Sequence, residues 1–366
     1  MAHAALSRGR TSVEIESPDM IYEDRERRLV LRCQRRCPPA LVEFWERIEW
    51  GTQGVLYTMP NITQTIADMG EPYFLTLEEE GKLVGGYAFN KTHVGVGVRR
   101  YPAFYRSLLA IAPSHRGRGL GKLLVEQAKH HFQEILGQQG ILYGYIEEKN
   151  LRSLEVSQKV GYSPIGTFSV LLITRFSPKS KCAIEQVATS ERDALVQCLE
   201  TQYQDHALTN FEHSVRPDDY YILRRAEEIV AGIQVKKCHW TIEHLPGIGG
   251  RLLLGALSWG PLTRHLVDPQ QYEFLRLGNA YVRPGYERDW FALVETVLAQ
   301  HQLVSGMLFM DERSPVYQRL ISAGRFSWLN AITSISARVM AGCKNISEEE
   351  IAEIRRRPLC FPPTEM

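Results

Sequence analysis

Residues 115–124 read HRGRGLGKLL and follow directly on the apolar run Ser107-Leu108-Leu109-Ala110-Ile111-Ala112-Pro113. A strand running into a glycine loop that opens a helix makes an anion site, because the first amides of a helix have no intrahelical partner and carry partial positive charge. Gly117, Gly119 and Gly121 have no side chain to hold a phosphate away from those amides, and Arg116, Arg118 and Lys122 add charge at the rim. Tight packing of helix on strand would explain one glycine, not three flanked by arginines. Two familiar phosphate motifs fail on spacing. A nucleotide P-loop requires Ser or Thr after its lysine, and Lys122 is followed by Leu123. The dinucleotide fingerprint Gly-x-Gly-x-x-Gly is one residue longer than Gly117-x-Gly119-x-Gly121.

The elements that must hold this loop are legible on both sides of it. Arg28–Cys33 alternates like a half-buried strand, Pro38-Pro39 open an amphipathic helix over 40–48, and a short helix covers Ile62–Met69. Tyr73–Phe89 reads as a hairpin turning at Gly81, with His93–Arg100 linking it to the strand before the loop. Leu123, Leu124, Ala128, Phe132, Ile135 and Leu136 recur at helical intervals, Ile141–Ile146 is a buried-type strand, and Asn150 caps a helix that stops at Gly161.

At 366 residues the chain is too long for one ordinary core, and two domains are expected. Periodicity breaks at Ser177-Pro178-Lys179-Ser180, which sets a first domain at 27–177 and a second at 182–345, between an N-terminal arm (1–26) and a C-terminal tail (346–366). The second half repeats the grammar of the first: strand 183–187, helix 190–202, hairpin within 219–240, strand 274–282, helix 287–301, strand 306–310, helix 314–323, with apolar strands at 252–257 and 331–336. A duplicated domain is expected.

Composition excludes several classes. Hydrophobic residues are 44 %, charged residues 23 % and net charge +1, which suits a globular chain and leaves no broad cationic surface for nucleic acid. The seven cysteines are odd in number and scattered, unlike a secreted disulfide framework. Cys33 and Cys37 lack a second Cys/His pair at zinc spacing, so no metal is expected. No apolar run approaches the length of a membrane span, and a cytoplasmic location is expected.

Arg116-Gly117-Arg118-Gly119-Leu120-Gly121 resembles the Arg/Gln-x-x-Gly-x-Gly/Ala signature of the GCN5-related N-acetyltransferases (GNAT), and a second family element appears in order. Strand 141–146, then Asn150-x-x-Ser153, then Lys159-Val160-Gly161-Tyr162, resembles the family's Asn-x-x-Ala…Gly-Phe helix. The likeness covers about residues 28–176. It implies a mixed α+β fold of two tandem GNAT-like domains, each a mostly antiparallel sheet flanked by helices, in which the strand ending near Ala112 splays from the one starting at Ile141. Acyl-CoA, acetyl-CoA in the simplest case, would enter that wedge, its pyrophosphate on residues 116–121 with Lys122, Asn150 and Ser153 nearby. Its pantetheine would pair with backbone around Leu109 and Ile111.

The reaction the resemblance implies moves an acyl group to the amine of a small molecule or peptide, which needs a base for the ammonium and a proton for the leaving thiolate. Glu147 and Glu148 end the strand bordering the cleft and are candidate bases; His93 in the preceding segment is another. The family's tyrosine acid lies seven residues after the capping asparagine, and here that position is Ser157. The proton could come through Ser157, from Tyr162 or Tyr145, or from solvent. A CoA-binding regulatory protein that has lost catalysis is the alternative. In the second half the loop position reads Tyr281-Val282-Arg283-Pro284-Gly285-Tyr286-Glu287-Arg288-Asp289, with one glycine and two acids that would repel phosphate. That half resembles the degenerate partner of tandem family members and is expected to wall the acceptor pocket.

Overall fold

Alternating apolar residues and tight turns build long antiparallel ribbons, and the computed structural model joins them into one sheet. It describes residues 18–52, 55–244, 268–327, 330 and 335–361. The first half contains β1 (Asp19–Asp24), β2 (Leu29–Gln34), α1 (Pro39–Glu46), β3 (Leu56–Thr58), α2 (Ile62–Ala67), β4 (Glu71–Glu79), β5 (Lys82–Val96), β6 (Arg99–Ile111), α3 (Leu120–Ile135), β7 (Gly140–Glu147), α4 (Leu151–Lys159) and β8 (Ser163–Thr174). The second contains β9 (Glu185–Gln186), α5 (Arg192–Gln202), β10 (Ala207–Thr209), α6 (Phe211–Ser214), β11 (Tyr220–Arg225), β12 (Glu228–His244), β13 (Tyr272–Val282), α7 (Glu287–Gln300), β14 (Ser305–Met310), α8 (Pro315–Ser322), β15 (Ser336–Lys344) and α9 (Glu348–Arg356).

The mixed α+β architecture follows the expectation, and the halves share an element order. Each has a hairpin closed by two residues at positive φ, Glu80-Gly81 in the first and Ala226-Glu227 in the second, which suits the twist of the flanking strands. In each, the next strand is followed by a helix and a parallel strand: β6 with β7, β13 with β14. In each, a short strand crosses to the other half, β3 onto β12 and β10 onto β5. The two chain segments do not keep separate sheets, however. β15 lies between β7 and β8, and β8 lies between β15 and β14, so each half lends its last strand to the other. The central core is correspondingly shared: Tyr143, Phe168, Phe274, Met307, Val339 and Phe361 belong to one buried cluster.

Three expectations are corrected. The arm does not extend to residue 26, because 19–24 form an edge strand paired to β2, with Ile21 and Tyr22 half-buried against the first core. The segment 93–100 is not a linker but the end of β5, a turn at Gly97-Val98 and the start of β6, so His93 sits in a strand opposite Pro102. The tail is not free: Ser347 and Glu350 form a capping box that starts α9, and Leu359, Cys360 and Phe361 are buried. The expected strand 252–257 and most of 331–336 lie outside the described residues, apart from Ser336 in β15.

Candidate active site

β6 and β7 pair in parallel only at Ala103↔Ile141, Phe104↔Leu142 and Tyr105↔Tyr143, then part. Beyond that point β6 carries a bulge opposite Tyr87, where Leu108 takes φ 56, a left-handed conformation that a leucine holds only when its surroundings impose it. The Ala112 amide donates to Val84 O on β5 at 2.8 Å. Main-chain groups alternate between strand edges, so the amides of Ile111 and Leu109 face the open edge, where β7 has turned away.

The expected anion loop ends β6. Gly117 and Gly119 adopt φ 86 and φ 81, and a Cβ on either would meet nothing within 4 Å, so the loop presents an open face of backbone. Gly119 is the N-cap of α3 and has no side chain over the free amides of Leu120, Gly121 and Lys122. The helix starts three residues before the apolar period begins and buries Leu120, Leu124, Val125, Ala128 and Phe132 against the sheet. Arg118 does not reach into the loop. Its guanidinium forks onto Glu79 at 2.6 and 2.8 Å, beside His115 at 3.3 Å, and so ties the loop to β4. That ion pair holds the Glu79 carboxyl below its usual pKa. Arg116 donates from Nε to Ile111 O at 3.2 Å, which leaves its backbone in the loop.

The gap between β6 and β7 opens into a cavity of about 940 Å³. Leu108, Leu109, Gly144, Glu147, Asn150 and Ser153 line its first-half side. Glu147 accepts a hydrogen bond from Thr52 Oγ1 at 2.5 Å. Glu148 is held away by Ser336 and Arg338. Asn150 caps α4 by accepting from the Ser153 amide at 3.1 Å. Lys237, Trp240, Phe274 and Arg276 come from the second half, which walls the cavity as expected.

The two expected proton donors on or after α4 are not at the cavity surface. Tyr162 is 2 % exposed, its hydroxyl has no hydrogen-bond partner among the described residues, and burial raises its pKa far above the usual phenol. It serves as a platform for Arg106, whose guanidinium lies 4.0 Å over its ring. Ser157 is also 2 % exposed and accepts from Arg106 at 3.2 and 3.3 Å. Arg106 also donates to Tyr87 Oη at 3.0 Å. It lines the cavity with no carboxylate against it among the described residues, and the sequence reading missed it because a lone arginine in an apolar strand carries no local signal. Tyr145 does line the cavity.

The bulged, splayed parallel pair ends in a glycine loop, with free helix amides at one end of the open strand edge and a cavity at the other. Residues 41–162 match the model of the Acetyltransferase (GNAT) family. The match lies wholly within the amino-terminal half. Among solved structures, Saccharomyces cerevisiae N-myristoyltransferase with bound myristoyl-CoA is similar at 9 % identity, over 90 % of this chain and 88 % of that one, with a TM-score of 0.56. The glucosamine N-acetyltransferase region of a fungal multi-domain GH3 β-N-acetylglucosaminidase gives 15 % identity, 86 % of this chain, 38 % of that one and a TM-score of 0.53. The Anabaena variabilis GCN5-related N-acetyltransferase gives 14 % identity over 85 % and 72 % of the two chains, with a TM-score of 0.46. The chain matches none of the curated proteins compared with it. Among the described residues no group of side chains could hold a metal, and no helix is long and apolar enough to cross a membrane.

Proposed function

We propose that the protein is an acyl-CoA-dependent N-acyltransferase that transfers its acyl group, acetyl in the simplest case, directly to a primary amine of a small molecule or peptide. The observation that carries this reading is the succession, along β6 and into α3, of cavity-lining Leu108 and Leu109, an open strand edge and free loop amides. The amides of residues 117–122 take the pyrophosphate, and those of Ile111 and Leu109 pair with pantetheine. Near Leu109 the same backbone donors stabilise the oxyanion formed when the amine attacks the thioester carbonyl. Glu147 takes one proton from the incoming ammonium, with Thr52 orienting its carboxylate. As the carbon–sulfur bond breaks, the Arg106 guanidinium supports the thiolate electrostatically, and the second amine proton reaches the sulfur through solvent. Ser157 positions Arg106 and replaces the tyrosine of the family pattern; Tyr162 packs beneath it. The seven free cysteines fit a reducing compartment, and the proposed location is the cytoplasm.

That missing tyrosine favours one second reading, a CoA-binding regulator without turnover. The two separate on one measurement: thiol release from acetyl-CoA across an amine panel, with acetyl-CoA affinity measured by calorimetry. Turnover that falls by about 10²–10⁴ in Glu147→Gln at unchanged affinity supports the enzyme. Tight binding with no release from any amine supports the regulator, and no binding sinks both.

A further inference from the structure

The second-half wall of the cavity contains an arginine that pairs with no carboxylate among the described residues. Arg276 sits on β13 opposite Lys236 of β12, is 7 % exposed, and lines the cavity. Its Nε and one terminal nitrogen are buried with no hydrogen-bond partner among the described residues, and no carboxylate pairs with it. A buried guanidinium is expensive unless an anion shares its hydrogen bonds, and its planar fork matches the two oxygens of a carboxylate or phosphate.

The neighbouring charges are already committed. Lys236 is ion-paired to Asp68, whose other oxygen receives Arg216 at 3.2 Å, and Lys237 pairs with Glu273 at 2.8 Å. Burial first, and Arg276 beside it, lower the Lys236 pKa. Among the described residues the cavity is lined by two arginines and two lysines, Arg106, Arg276, Lys236 and Lys237, by His239, and by two carboxylates, Glu147 and Glu273. Tyr57, stacked on Trp240 with ring centroids 3.9 Å apart, stands between the halves and feels both the Glu147 carboxylate and the Arg276 guanidinium. Candidate base and unpaired cation therefore flank one aromatic wall.

We infer that the acceptor is a primary amine joined through an apolar spacer to an oxyanion, and that Arg276 holds the oxyanion while the amine faces Glu147. This rests on the acyltransferase reading and adds the substrate class and a specificity residue that no part of the glycine-loop signature supplies. The chemistry is shared by carboxylates and phosphates, and both belong in the test.

The experiment uses the full chain loaded with acetyl-CoA and sets of matched amines: 4-aminobutanoate, 4-aminobutanamide, 1,4-diaminobutane and 2-aminoethyl phosphate, together with dipeptides as free acid and as amide. Calorimetric binding and thiol release are read for wild type, Arg276→Met and Arg276→Lys. Acid forms are expected to bind at least about tenfold more tightly than their amides, and Arg276→Met to erase that difference by raising KM for the acids with little change in kcat or acetyl-CoA affinity. Arg276→Lys should restore part of it, and the better of the carboxylate and phosphate probes names the oxyanion. Removing an unpaired buried cation should not lower Tm in Arg276→Met, which separates a lost contact from misfolding. Equal binding of acids and amides by wild type overturns the inference, as does equal loss of both in Arg276→Met, and either leaves the acyltransferase reading standing if acetyl-CoA still binds. Failure of wild type to bind acetyl-CoA sinks that reading instead.

Discussion

Two strand pairs in this molecule part after three paired residues, and their fates differ. Beyond Tyr105↔Tyr143 the gap becomes a cavity of about 940 Å³; beyond Leu277↔Leu308 it shrinks to about 20 Å³. The bulges are equivalent, with φ 56 at Leu108 and φ 48 at Asn279. Around the second bulge, however, Tyr220 donates to Asn279 O at 2.7 Å, and Tyr203 and Gln202 donate to Ala280 O at 2.8 Å. Leu359, Cys360 and Phe361 then fill the space, tied by the Leu359 amide to Asp311 and the Cys360 amide to Ala207 O. The loops differ as well. Eight residues (112–119) separate β6 from α3, but only four (283–286) separate β13 from α7. At α7 the Glu287 carboxylate already accepts from the Gly285 amide at 3.3 Å. A helix end that supplies its own anion, beside a gap filled by its own chain, has no room for a ligand. One architecture thus leaves an open cleft where its polar edges stay free and forms a joint where the protein satisfies them itself.

The sharpest way to break this contrast is charge reversal at the two helix starts. Gly119→Glu should abolish acetyl-CoA binding, with affinity falling more than about a hundredfold, because it places a carboxylate over the free amides. Gly285→Glu should leave affinity unchanged. Calorimetry checks both, and a folded Gly119→Glu protein that still binds normally removes the proposed site. Next in size, Leu359→Ala should destabilise the fold by about 2–5 kcal/mol in urea unfolding without changing acetyl-CoA affinity, since its burial closes only the second gap.

His206 gives the closed gap a pH signature. It is 2 % exposed and bonds Ser314 at 2.9 Å, and burial, opposed in part by Asp311 and Asp205, takes its pKa down to about 4. In the unfolded chain the same imidazole titrates near 6.5. Above about pH 6.5 both states are neutral there and nothing is lost; as pH falls toward 4 only the unfolded chain takes up the proton, so stability drops by on the order of 3 kcal/mol. Urea unfolding between pH 7.5 and 4.5 should be measurably less pH-dependent in His206→Gln. The smallest effect concerns the helix caps. Asn150→Ala should cost about 1 kcal/mol through the lost cap of α4. Ser314→Ala should act instead through His206, because Ser314 makes no cap bond at α8. A greater loss of acetyl-CoA affinity than of stability in Asn150→Ala would give Asn150 a direct part in binding.

Much of the first half was legible because its signals are local. The Gly117–Gly121 spacing, the Asn150 cap, the Gly161 stop and the hairpin at Gly81 each act within a few residues, and each keeps its place in the structure. The capping box at Ser347 and Glu350 is equally local, but it lies beside a charged run that masks the start of α9. Charge beside a glycine loop points locally to a phosphate, whereas Arg118 commits its guanidinium to Glu79, which lies on another strand.

By itself the sequence determined most strands and helices of the first half, the open glycine loop and its altered counterpart at 283–286, since backbone freedom, caps and charge depend on neighbours in the chain. Tertiary structure decided that β8 and β15 change places, that residues 359–361 fill the second gap, and that Arg276 is buried with two guanidinium nitrogens unpaired among the described residues. These are long-range pairings. Which of many apolar strands meets which, and which charge is left over, depends on packing the whole sheet together rather than on any window of residues.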